Sequence, residues 1–305
     1  MKKKTFVIAC MFVLLFTSCQ YSQEESVKKT EFGTEIRFPS GSAPFPHKDR
    51  EKGHTYKNSV YLADKHYSDS TVFIFIPEGF QASDSVEVVV YFHGWLSNIT
   101  NSITKFKLVE QFYRSKKNAI FVFPEGPKDS PDSFGGKLEE KDVFKNLIKE
   151  VIDKINEKEK FDIKGAGKII LAGHSGAFRV MAHILHHGGL SEYIKEAILF
   201  DALYSQTDKY LVWIEKYSGK FINIYTDDGG TVEQTKAMMD TLSTRNVPFI
   251  HKPELEITED DLINNQLIFI HSDLGHNDVV FKREQFLKFL KASRLTDRNT
   301  IKSEE

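Results

Sequence analysis

The chain has 305 residues, of which 40% are hydrophobic and 28% charged, and its net charge is −2. That balance excludes a disordered or fibrous polymer and offers no basic surface for nucleic acid, while the length is ample for one large core. Both cysteines, Cys10 and Cys19, lie near the N-terminus, so a folded domain has no disulfide framework and has to be held by packing.

Three lysines, Lys2, Lys3 and Lys4, precede an apolar run over 5–16. The run is shorter than the roughly 20 residues a spanning helix needs, and it predicts an export signal over 1–18. It ends in Leu15-Phe16-Thr17-Ser18-Cys19, which resembles a bacterial lipobox with Phe16 where Leu is usual. The resemblance implies lipidation of Cys19 and a membrane-anchored protein of the cell envelope. Several acyl chains on one residue make a firm anchor. Residues 19–53 are polar and lack periodicity, and are expected to form a tether. A catalytic domain is expected over 54–292 and a polar tail over 293–305.

Within the domain, short β-branched or aromatic runs recur at 60–62, 71–76, 86–92, 119–123, 168–171, 197–200, 221–225 and 267–270. Helical patterns at 102–116, 139–158, 177–187, 208–217 and 232–245 separate most of the later ones. Near-continuous apolar strands alternating with helices predict an α/β fold with a mainly parallel sheet of about eight strands, covered on both faces. The first two runs, with no helix between them, predict an antiparallel hairpin. The segment between the runs at 197–200 and 221–225 is too short for a large helical cap.

Residues able to do chemistry fall just after these strands, where an open α/β sheet places its ligands. His93-Gly94-Trp95 follows the run at 86–92. The strand at 168–171 runs into Gly173-His174-Ser175-Gly176-Ala177 and then a helix. Asp201 ends the next strand, Asp227 and Asp228 the one after, and the last strand leads into His271 and His276. Three histidines, His183, His186 and His187, share a helix, but the H-E-x-x-H pattern and a third ligand are missing, so no metal site is assigned.

The Gly173 to Ala177 turn, between strand and helix, resembles the nucleophile elbow of the α/β-hydrolase family, with Ala177 in place of the last glycine. The resemblance implies Ser175 as nucleophile and an oxyanion hole from the backbone N–H groups of Trp95 and Gly176, with Gly94 shaping the loop. It places the general base at His276, with His271 as the alternative, and His93 as a buried scaffold. For the acid that orients the base it implies Asp227, with Asp201 as rival because some members carry the acid there; Asp228 is expected to start the glycine turn or cap a helix. No cofactor is implied.

The expected activity is hydrolysis of small or polymeric esters through an acyl-enzyme. The lead-in Phe75-Ile76-Pro77-Glu78-Gly79-Phe80 also resembles secreted feruloyl esterases and polyhydroxyalkanoate depolymerases. A polar loop over 126–137 is expected to border an open pocket. Two alternatives stay open: an amidase or peptidase with the same triad, and a surface-binding lipoprotein on a non-catalytic hydrolase scaffold.

Overall fold

The computed structural model describes residues 24–298. The export signal and Cys19 lie outside them, as do the last seven residues. Among the described residues, no helix is long and apolar enough to cross a membrane.

The chain opens with strands β1 (Ser26–Thr30) and β2 (Gly33–Pro39), then a small hairpin of β3 (His54–Tyr56) and β4 (Ser59–Tyr61), and a short helix α1 (Ala63–His66). There follow β5 (Thr71–Pro77), β6 (Ser85–Phe92), α2 (Ile99–Phe106), α3 (Leu108–Arg114), β7 (Ala119–Pro124), α4 (Val143–Glu159) and β8 (Gly165–His174). The second half contains α5 (Phe178–His187), β9 (Ile194–Phe200), α6 (Thr207–Tyr217), β10 (Lys220–Thr226), α7 (Val232–Thr244), β11 (Ile250–Pro253), α8 (Glu259–Asn264), β12 (Leu267–Ser272) and α9 (Gln285–Lys291).

Ten of the strands form one sheet in the order β1-β2-β5-β7-β6-β8-β9-β10-β12-β11. From β7 onward every pairing is parallel, while β1, β2 and β5 run antiparallel to their neighbours. The parallel strands are buried over most of their length, β7 and β10 throughout and β8 in its second half, because helices cover both faces. Two apolar clusters result, one on each side of the sheet. In α4 the buried residues Phe144, Leu147, Ile148, Val151, Ile152 and Ile155 recur at helical spacing, and each fully buried side chain of this kind contributes roughly 1.5–3 kcal/mol over leaving it in water.

The start of the domain differs from the expectation. The tether expected over 19–53 is in large part structured: β2 alternates buried Thr34, Ile36 and Phe38 with Glu35 and Arg37, and pairs along its whole length with β5. After it, Ala43 and Phe45 are fully buried, and the hydroxyls of Ser40 and Ser42 both donate to Glu150 of α4 at 2.5 Å. The expected hairpin between 60–62 and 71–76 does not form, because β4 pairs with β3 and β5 inserts between β2 and β7. The patterned segment 102–116 is two helices, broken where Lys107 takes a left-handed φ of 50°. The expected tail packs down as far as residue 298: Ser293 and Leu295 are buried, and Lys117 bridges to Asp297.

Strand order decides where the site lies. The chain leaves β6 for β7 on one side and returns to β8 on the other, so a crevice opens beyond the carboxyl ends of β6 and β8. Phe92 sits beside Gly173 in that pairing, and His174 beside Phe200 of β9. The residues after β6, β8 and β9 therefore stand side by side.

Candidate active site

Ser175 holds a φ of 56° at the turn between β8 and α5, a left-handed conformation that costs a non-glycine residue energy and is maintained by its surroundings. Those surroundings tolerate only small neighbours. A Cβ on Gly173 would lie 2.6 Å from both Ala177 Cβ and Met181 Sδ, and one on Gly176 would lie 2.7 Å from the Trp95 ring. Ala177, which departs from the elbow pattern, therefore fills the space that Gly173 leaves.

The loop after β6 presses on the serine. A Cβ on Gly94 would come within 2.5 Å of Ser175 Cβ and 2.9 Å of the His174 carbonyl, so only glycine lets the loop approach this closely. The Leu96 N–H is committed to the Ser130 carbonyl at 3.0 Å, which ties the residue after Trp95 to the loop over 126–137. The Trp95 indole donates to Ser133 Oγ at 2.8 Å, and Ser133 borders Gly176, so the loop over 126–137 does border the site. His93 lies beneath as a buried scaffold: Nδ1 donates to the Gly94 carbonyl at 2.7 Å and Nε2 to Glu125 at 3.0 Å. Burial acts to lower its pKa, but the Glu125 hydrogen bond and charge outweigh that and hold it above the ordinary value. The backbone N–H of Gly126 is directed at the same Nε2 at 3.1 Å, so Glu125 and the loop after β7 meet on one ring nitrogen. Glu125 also accepts from the Ile99 N–H that opens α2, so one buried ion pair joins the glycine loop to a helix.

His276 Nδ1 lies 2.7 Å from Asp201 Oδ2. The carboxylate that meets His276 is thus Asp201, the rival, and not Asp227, the residue expected first. Asp227 has an exposed side chain and pairs with His271 Nε2 at 2.9 Å, away from His276. The physical reason lies in the neighbours of each strand: β10 lies beside β12 with Tyr225 paired to His271, so Asp227 meets His271 at the end of β12, whereas His276, farther along the loop after β12, meets the residue that follows β9. Asp201, with a φ of 47°, turns inward and is fully buried. Its burial acts to raise its pKa, but hydrogen bonds from His276, Thr226 and Thr231 prevail and hold it below the usual carboxylate value. Gly229 caps the carboxylate so closely that any Cβ there would overlap it.

Several residues that sequence reasoning passed over fix His276 in place. Asp228 accepts its backbone N–H at 3.0 Å, a role different from the turn or cap expected. His174 Nε2 donates to its carbonyl at 2.9 Å, with the two rings 4.6 Å apart. Burial, followed by the nearby His276, pushes the His174 pKa down to about 3, so His174 is neutral and a permanent donor. Its only signal in the sequence was its place inside the elbow motif. No hydrogen bond links Ser175 to His276 Nε2 among the described residues; Ser175 comes within hydrogen-bond reach of Tyr204, whose hydroxyl donates to the Gly229 carbonyl at 2.6 Å. Nucleophile and base contacts in ligand-free sites are often long and tighten around substrate. The His183 helix end is also accounted for, with His187 Nε2 donating to the Glu139 carbonyl at 2.7 Å.

No family model matches the chain, and no curated protein sequence does. Solved structures do. A ferulic acid esterase matches at 14% identity and a TM-score of 0.50, covering 72% of this chain and 91% of its own. A feruloyl esterase module from Clostridium thermocellum, complexed with sinapinate, matches at 9% identity and 0.52, covering 75% and 85%. The likeness is one of fold, and the fold is that of the α/β-hydrolases: a large, mostly parallel sheet with helices on both faces and only α6 between β9 and β10.

Proposed function

We propose that the chain is a serine hydrolase that cleaves carboxylic esters through an acyl-enzyme. The observation that carries this reading is the 2.7 Å contact of buried Asp201 with His276, set beside a serine held in the strained elbow conformation with Gly94 against it. Asp201 fixes the His276 tautomer that leaves Nε2 free to take the Ser175 proton as Oγ attacks the ester carbonyl, and it stabilises the imidazolium that forms. The N–H groups of Trp95 and Gly176 donate to the developing oxyanion. His276 then passes its proton to the leaving alcohol. Water, activated by the same imidazole, releases the acid and restores Ser175.

Beside the site lies a cleft of about 630 Å³ with mixed polar and apolar walls and no covering domain, an open setting that supports polar or polymeric esters over long-chain lipids. The basic, apolar and cysteine-ended N-terminus supports export and lipid anchoring at Cys19, with the enzyme at an envelope membrane.

Labelling with a fluorophosphonate probe, together with hydrolysis of 4-nitrophenyl acetate, tests the reading. Both are expected in the wild type and absent in Ser175→Ala. A wild-type protein that neither labels nor hydrolyses is a binder on a hydrolase scaffold.

A further inference from the structure

The cleft beside the nucleophile has a one-sided charge. Its walls are the Trp95–Leu96 turn on one side, Lys105 and Phe106 of α2 on another, and Asn277 next to the base on the third, with His174 at its floor. Lys105 is the one ionised group on these walls: His174 is neutral, and no carboxylate faces the space. The ammonium is steered rather than neutralised. Nζ donates to Asn277 Oδ1 at 2.9 Å and lies 5.3 Å from the Phe106 ring centroid, and it makes no ion pair among the described residues. Its charge is close enough to act on His174, the residue before Ser175.

On the reading that this is an ester hydrolase, we propose that the cleft between α2 and the His276 loop is a subsite for a substrate carboxylate, with Lys105 as the residue that selects it. An ammonium with two of its three hydrogens unspent matches a carboxylate or another compact anion. Lys105 and Asn277 are themselves exposed to solvent, so this charge acts at short range, on a group that enters the cleft and meets the ammonium directly. The flanking Trp95, with 42% of its surface exposed and its ring 5.2 Å from Tyr56, offers an apolar face to the part of the substrate between the anion and the ester. Asn277, the residue after His276, holds the ammonium on the side of the catalytic loop.

The test compares kcat/KM for matched esters of the full folded enzyme. One pair places the charge on the acyl side, 4-nitrophenyl hemisuccinate against 4-nitrophenyl butyrate. The other places it on the alcohol side, 4-acetoxybenzoate against its methyl ester. In one of the two pairs the anionic member is expected to be favoured. Lys105→Met lowers that anionic-to-neutral ratio by about 2–5-fold, as expected for an exposed charge pair; Lys105→Arg keeps it, and added salt erodes it in the wild type. Ratios that are the same in wild type and Lys105→Met for both pairs overturn the inference while leaving the hydrolase reading intact. Absence of turnover on all four esters, with no fluorophosphonate labelling, overturns both.

Discussion

His174 Nε2 donates to the carbonyl of His276 across 2.9 Å, so the residue adjoining the nucleophile in sequence holds the backbone of the base. With Asp228 on the His276 N–H and Asp201 on its ring, the base is fixed at three points. The His174 bond is the one that ties it directly to the elbow. His174→Leu is expected to lower kcat by about 10–100-fold with little change in KM, since a misplacement of about 1 Å near the reacting groups costs on the order of 10². Steady-state kinetics beside a melting curve checks this. An unchanged kcat in a folded variant would remove His174 from the positioning scheme.

The two aspartates separate cleanly by amide substitution. Asp201→Asn leaves a ring partner of the same shape that can hold His276 in the wrong tautomer, and a loss of about 10⁴ in kcat, roughly 5 kcal/mol, is expected. Asp227→Asn touches only the exposed pair with His271 and is expected to turn over within about threefold of wild type, as surface pairs contribute little. Kinetics on both variants, with melting temperatures, decides between them; near-normal turnover by Asp201→Asn would return the acid to another residue.

Close approach of the glycine loop makes a sterically defined prediction. In Gly94→Ala the new methyl meets Ser175 Cβ and the His174 carbonyl, and the loop has to withdraw from the position where Trp95 serves the oxyanion. A fall of about 10²–10³ in kcat is expected. A crystal structure of the variant should show the Trp95 N–H displaced; retention of full activity would place the oxyanion donors elsewhere.

The buried His93–Glu125 pair gives stability a pH dependence of definite sign. The folded pKa of His93 is raised above the ordinary value of 6.5, so its contribution is fully present below about pH 6.5 and fades as pH rises through the raised value. Glu125→Gln removes the charge that sustains it. The gap in melting temperature between wild type and Glu125→Gln is therefore expected to be widest near pH 6 and to shrink toward pH 9. A gap that is constant across this range would show that His93 is neutral in the folded protein.

Anchoring is tested at the one cysteine that ends the apolar run. Cys19→Ala is expected to abolish incorporation of radiolabelled palmitate and to release or mislocalise the protein, and unchanged incorporation would count against a lipid anchor.

The nucleophile turn, the glycine loop and the histidine after the last strand were legible from residue order because each is a local device. A tight turn between a strand and a helix needs small residues within a few positions of the serine, and the end of β8 and the turn after it supply Gly173 and Gly176 inside that span. Strand β2 was legible in principle through its alternation of Thr34, Ile36 and Phe38 with charged residues. Its partner β1, Ser26–Thr30, is polar and exposed along most of its length and carries no such pattern, so the polar leader obscured both. Which carboxylate meets His276 was decided by tertiary structure alone. Asp201 and Asp227 each follow a buried parallel strand, and nothing local distinguishes them. Only the inward turn of Asp201 beneath Gly229 and the path of the loop after β12 bring that carboxylate to His276, while β10, paired with β12, leaves Asp227 on His271 in water. Strand order is set by long-range packing of helices on both faces, which no short stretch of sequence records.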